Sequence, residues 1–92
     1  MKKSKFQLGR ILGTPGALAA LAEAGQMPWE FISRHEAGDW GDLENDDRRE
    51  NERALKEHCR LLSAYHLKGG TKIWIITEAD RSSTTILLPE EY

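Results

Sequence analysis

From Leu61 onward the side-chain pattern of this chain changes period. Leu61, Ser63, Tyr65 and Leu67 fall on one side of an extended backbone and Leu62, Ala64 and His66 on the other, whereas the residues before them run in helix-forming blocks. Helices first and strands last can bury their apolar surfaces together only by laying the helices on the sheet. Ninety-two residues with 39% hydrophobic content supply one modest core and no second lobe. The pattern therefore predicts the α+β class: a single small domain of N-terminal helices packed on a C-terminal three- to four-stranded antiparallel sheet.

The strands are predicted over 61–67, 72–77 and 84–88. Lys68-Gly69-Gly70-Thr71 makes a tight hairpin turn between the first two, and Pro89 stops the third. The run from Lys72 to Thr77 is β-branched and aromatic, so it is expected as the most buried strand, with Ile73 and Ile75 on one face and Trp74 and Ile76 on the other. Phe6 and Leu8 alternate with Gln7 and Gly9, which predicts a further strand over 6–12. Thr14-Pro15 supplies an N-cap and a proline at the first helical position, predicting a helix over 15–24 that ends at Gly25 and turns Leu18, Leu21 and Ala22 inward. Met27-Pro28 opens a second helix over 28–35, with Trp29, Phe31 and Ile32 apolar. Asn45-Asp46-Asp47 is expected to cap a third over 46–58, which leans on the sheet through Ala54 and Leu55 and carries Glu52 and Lys56 in the favourable i, i+4 order.

Arg34 to Leu43 sets costly residue types in a stretch too rich in glycine for a helix. Gly38 and Gly41 flank Asp39-Trp40, so special backbone geometry is expected there, with Trp40 at least partly buried. His35, Glu36, Asp39 and Asp42 are ligand-capable, but their spacing matches no zinc or calcium pattern, and neither metal nor cofactor is expected. His58 and Cys59 are adjacent and point apart, which argues against a Cys-His catalytic pair and makes Cys59 a small buried filler. Asp80 and Arg81 lie in a dense polar loop whose first explanation is turn chemistry. His66 reads as a surface or rim histidine.

The net charge of -2 is unevenly spread. Lys2, Lys3, Lys5 and Arg10 make the start basic, and nine acidic side chains between Glu36 and Glu57 face only Arg48, Arg49, Arg53 and Lys56. No apolar run suits a signal peptide or membrane span, and a lone cysteine excludes an internal disulfide, so a soluble cytoplasmic protein without a membrane partner is expected.

Arg34-His35, Gly38-Asp39-Trp40-Gly41, Leu61-Leu62-Ser63-Ala64-Tyr65, the run Lys72 to Ser82 and Thr84-Thr85-Ile86-Leu87-Leu88-Pro89 together resemble a family of small bacterial proteins of plasmids, integrated elements and phages. Its members are usually called plasmid-related proteins, and some carry the label of a type I restriction enzyme modification subunit. This chain is too short for a methyltransferase domain and has neither a Gly-rich cofactor loop nor an Asn-Pro-Pro-Tyr type motif. The resemblance implies a mobile-element accessory protein. The function expected is non-enzymatic: binding of a macromolecule, such as a host nuclease or defence complex, through Asp39, Trp40, Asp42, Glu44, Asp46 and Asp47, with Trp40 as the anchor. One alternative is a small enzyme using His35, Asp39, Asp80 and Arg81 between the Gly38–Gly41 loop and the Glu78–Ser83 loop. Another is a nucleic-acid-binding regulator using Lys2, Lys3, Lys5 and Arg10.

Overall fold

The computed structural model describes residues 4–92. Among these, β1 (Arg10–Gly13) leads into three helices, α1 (Pro15–Ala24), α2 (Pro28–Glu36) and α3 (Asn45–Glu57), which precede β2 (Leu61–His66), β3 (Lys72–Thr77) and β4 (Ser83–Leu87). A single 3-10 turn, Pro89–Glu91, follows β4. The four strands form one sheet in the order β1-β4-β3-β2. The class is α+β as the pattern predicts, but the sheet is mixed: β1 runs parallel to β4 while the other pairs are antiparallel. No hairpin joins β1 to its neighbour, so no local turn dictates its direction.

Register puts the apolar positions of three strands on one face. Tyr65 pairs with Ile73, Ser63 with Ile75 and Leu61 with Thr77, while Ile75 and Thr77 pair with Ile86 and Thr84 of β4. All three helices cover this face. Ala17 and Leu21 of α1 join Phe31 and Ile32 of α2 against Tyr65, Ile73, Ile75 and Ile86, and a second cluster gathers Trp40, Ala54 and Leu61. On the reverse face Ile76 and Leu87 are buried, and the half-buried Trp74 meets the Tyr92 ring edge-on at 5.8 Å.

Several local expectations are corrected. The first strand begins at Arg10 because Gly9 turns left-handed at φ 66° and lies so close to the Arg81–Ser82 backbone that a side chain there would overlap it. On α1 it is Ala17 and Leu21 that face the core, while Leu18 and Ala22 are exposed. Small Ala residues let the helix approach the sheet, and Leu18 instead covers Gly13, where β1 has no side chain. Trp29 is 59% exposed, since Phe31, Ile32 and His35 define the inward stripe of α2. Helix α3 is capped at Glu44, with no side-chain cap bond, and Glu52 accepts a hydrogen bond from Trp40 on the far side of the Gly loop. Cys59 is exposed because the left-handed cap residue His58, φ 56°, swings the chain outward after α3.

The outer edge of β2 is sealed by side-chain and loop groups. Asn51 of α3 accepts from the Leu62 amide at 3.1 Å and donates to the Leu62 carbonyl at 2.6 Å. The Ala64 amide donates to Trp40 O at 3.1 Å and its carbonyl accepts from the Asp42 amide at 2.7 Å. An unpaired strand edge is thereby removed from solvent. Replacing Asn51 by Ala strips both Leu62 groups at once and is expected to cost about 2–3 kcal/mol in urea unfolding, with faster amide exchange at Leu62. An Asn51→Ala protein as stable as the parent would show that the clamp contributes nothing.

Candidate functional site

The Gly loop begins where α2 runs out of helix. Ala37 ends it, the Gly38 amide donates to His35 O at 3.0 Å, and the Asp39 amide donates to Arg34 O at 2.8 Å. Gly38 and Gly41 both have positive φ, 84° and 74°, as the sequence leads one to expect. The Asp39 carboxylate accepts from Arg34 Nε at 2.7 Å and from the Gly41 amide at 3.2 Å, which folds the loop back on itself. The Arg34 guanidinium lies over the Tyr65 ring, 4.6 Å from its centroid, and the Tyr65 hydroxyl donates to Asp39 O at 2.5 Å. Burial pushes that phenol up from its ordinary pKa, so it stays a donor.

Gly41 is the tightest point. A Cβ there would overlap the Ala64 carbonyl oxygen and stand 2.6 Å from the Tyr65 ring. That closeness lets the loop lie in the ladder beside β2. Trp40 is 2% exposed, packed against Phe6 and His35, and its Nε1–H donates to Glu52 at 2.8 Å. It therefore pins α3 to the loop and offers no surface to a partner, which overturns its expected role as an exposed anchor.

His35 is 0% exposed. Nδ1 lies 2.5 Å from Ser63 Oγ and Nε2 lies 2.9 Å from Thr77 Oγ1; Thr77 in turn is 2.7 Å from Thr84 Oγ1, which donates to Leu8 O at 2.7 Å. The donor order follows from counting protons. Thr84 spends its only proton on Leu8 O, so Thr77 donates to Thr84, His35 Nε2–H donates to Thr77, and the bare Nδ1 accepts from Ser63. The neutral ring satisfies every member of the line. Burial, and secondarily the charge of Arg81, hold the His35 pKa down at about 3 from its ordinary 6.5.

The acidic side chains stand apart from this buried network. Asp42 accepts from His66 Nδ1 at 2.6 Å on the surface, and Glu44, Asp46 and Asp47 project into solvent at the start of α3. Arg48, in the same turn of α3, donates instead to the carbonyls of Leu43 and Gly41. Arg53 is held by Glu50 and Glu57 further along the helix, and Arg49 reaches Asp46 only loosely at 3.7 Å.

A cleft of about 300 Å³ opens on the other side of α3, lined by Lys5, Phe6, Gln7, Leu55, His58, Asp80 and Arg81. Asp80 and Arg81 thus do share a concavity, but His35 and Asp39 lie outside it. The Phe6 ring stands between, 5.1 Å from His35 on one side and 5.8 Å from the Arg81 guanidinium on the other. Arg81, at φ 61°, donates to the carbonyls of Ala54, Cys59, Glu78 and Ala79, so its hydrogens close the end of α3 and the β3–β4 turn. Asp80 accepts from the Ser82 amide at 3.0 Å, a bond that completes the turn, and contacts with Ser82 hold its carboxyl below the usual range. The proposed quartet does not converge.

For the nucleic-acid alternative, Lys5 lies against Gly38 and Arg10 on β1, at the sheet edge remote from that loop, while Lys2 and Lys3 lie outside the described residues. Among the described residues no group of three or more His, Cys, Asp or Glu is arranged to hold a metal, and no helix is long and apolar enough to cross a membrane. Sequence reasoning missed the polar partners Ser63, Thr77 and Thr84, the clamp residues Asn51, Glu52 and Arg48, and the cleft walls Lys5, Phe6, Gln7, Leu55 and His58. Only the Gly-rich spacing around Asp39-Trp40 signalled any of this. Comparison with protein-family models, with curated proteins and with solved structures finds no match to this chain.

Gly41→Ala is expected to destabilise the domain by more than about 3 kcal/mol, since a left-handed residue and a backbone overlap are both forced. Gly38→Ala meets only the Lys5 side chain, which can move, and should cost about 1–2 kcal/mol. Equal costs in chemical unfolding would contradict the close approach at Gly41.

A second expectation concerns acid. His35 titrates near 3 folded and near 6.5 unfolded, so its neutral form favours the native state above about pH 6.5 and that contribution drains away as pH falls toward 3. The slope is at most about 1.4 kcal/mol per pH unit. His35→Gln, which keeps one donor and one acceptor, should flatten the loss between pH 6 and pH 4, and an unchanged slope would contradict burial of a neutral ring.

Proposed function

We propose that this protein acts by binding rather than by catalysis, as an accessory of a mobile element that docks on a basic macromolecular surface. The carrying observation is the ridge of Asp42, Glu44, Asp46 and Asp47, exposed while Arg48 is drawn back onto the loop backbone. Arg48 pairs with none of these carboxylates, Arg49 reaches Asp46 only at 3.7 Å, and Asp42 has only His66, so the field at this end of α3 stays negative and open to a cation-rich partner. Proteins that grip nucleic acid carry cation-rich surfaces, because Lys and Arg neutralise the phosphates they contact. A host nuclease or defence complex therefore fits the chemistry, and the setting implied by the resemblance fits it too. With Trp40 inside the fold, the ridge supplies steering and register, and affinity must come from added contacts around it.

Rigidity favours this reading. Trp40, Glu52, Arg48 and the Asp39–Arg34 pair lock the base of the ridge to the sheet, so its charges are presented with little ordering entropy left to lose. An enzymatic reading has the Asp80–Arg81 cleft, but the Arg81 donors there are spent on main-chain carbonyls.

Affinity-tagged protein in native host lysate should capture a partner with a basic surface, and the captured amount should fall as salt rises past the point where the Debye length drops below about 8 Å. Reversing Asp42, Glu44, Asp46 and Asp47 to Lys should weaken capture at least tenfold while near-ultraviolet circular dichroism of the tryptophans stays native. Reversing the exposed Glu23 on α1 should change nothing. Equal capture by the ridge-reversed and parent proteins would end this reading.

A further inference from the structure

The two edges of the sheet are treated in opposite ways. Asn51 and the Trp40–Asp42 segment occupy the outer groups of β2, whereas among the described residues β1 has no such cover. The Arg10 amide donates to Ser82 O and the Thr14 amide to Ile86 O, which marks Arg10, Leu12 and Thr14 as the residues whose main-chain groups face β4. Main-chain groups alternate along a strand, so Ile11 and Gly13 turn their N–H and C=O outward. The side chains around this open edge are apolar and exposed: Ile11, Leu12 and, above Gly13, Leu18. Proline, a bulge or a covering helix normally blunts such an edge, and among the described residues β1 has none of them.

We propose that β1 is the contact of a symmetric dimer, in which the same strand of a second copy pairs antiparallel to it across a two-fold axis through Leu12. The register is the one that the outward groups allow. Ile11 exchanges both main-chain hydrogen bonds with the partner's Gly13, and Gly13 does the same with the partner's Ile11. Leu12 meets the partner's Leu12 at the narrow, non-hydrogen-bonded position on the axis.

Side chains make this self-pairing specific. Ile11 lies opposite a glycine, so it has room to reach across and seat on the partner's Leu18, which roofs that glycine. Arg10, which has no carboxylate partner among the described residues, falls opposite the partner's Thr14. The Thr14 hydroxyl donates to Glu91, so the same register brings a guanidinium to the partner's Glu91. An unrelated strand would satisfy the backbone groups equally well, but the small residue at Gly13, the apolar pair Ile11 and Leu18, and the opposite charges Arg10 and Glu91 complement one another only when the edge meets itself. The strand is short, so these side-chain contacts carry the association. Because the acidic ridge lies at the β2 end of the sheet, dimerisation leaves both ridges open.

Sedimentation equilibrium of the full chain at rising concentration should show a monomer–dimer equilibrium. Ile11→Pro removes an amide that the monomer does not use, and Leu12→Lys places like charges on the axis; each should raise the dimer dissociation constant at least tenfold with native circular dichroism. In a Cys59→Ser background, Leu12→Cys should oxidise to a covalent dimer, while Ala22→Cys, exposed on α1, should not. A protein that stays monomeric at every concentration overturns the proposal, as does a dimer that neither Ile11→Pro nor Leu12→Lys weakens.

Discussion

One buried line of hydrogen bonds holds the architecture together. It runs from Ser63 on β2 through His35 on α2 to Thr77 on β3, Thr84 on β4 and the carbonyl of Leu8 in the N-terminal segment. Three strands, one helix and the incoming chain are tied by a single proton order, and each group would be costly to bury alone. The apolar core around Ile73, Ile75 and Ile86 supplies the driving force for collapse, but it is tolerant of small shifts. The polar line is not, because a slip of one residue in either β-pair would strand a hydroxyl or a ring nitrogen. Specificity of register is the physical consequence.

That line also decides what His35 is. A histidine beside a serine at 2.5 Å resembles a nucleophile and its base, yet both are fully enclosed and their bond is part of a closed count of donors and acceptors. Phe6 separates the ring from Arg81 and from the cleft. A general base must titrate near its working pH, and a ring held near 3 is committed to neutrality. The features on which the proposals rest are at the surface. There the ridge of carboxylates at the start of α3 and the apolar open edge of β1 lie at opposite ends of the sheet.

The Gly loop connects the two halves of this picture. Its turn brings Trp40 under α3 and lays Gly41 into the β2 ladder, so the edge of the sheet is sealed and the ridge is anchored by the same few residues. Arg48, drawn onto Gly41 and Leu43 to satisfy their carbonyls, leaves its acidic neighbours exposed. Structural need and surface charge are thus coupled: one cation beside the ridge is used to hold the loop.

Much of this was legible in the residues themselves. Period two after Leu61, Gly69-Gly70 between strands, Thr14-Pro15 ahead of a helix and glycines around Asp39-Trp40 each specify a local conformation, because dihedral limits and side-chain alternation act over a few neighbouring residues. The helices, β3 and the positive φ at Gly38 and Gly41 followed from them. What only the tertiary structure decided were relations between distant residues: the parallel pairing of β1 with β4, the outward turn of Leu18 and Trp29, the enclosure of His35 by Ser63 and Thr77, and the separation of His35 from Arg81. Strand direction without a hairpin, and the partner of a buried polar atom, depend on which surfaces meet when the core closes. No local pattern encodes that, because the free energy that selects it belongs to contacts between segments far apart in the chain.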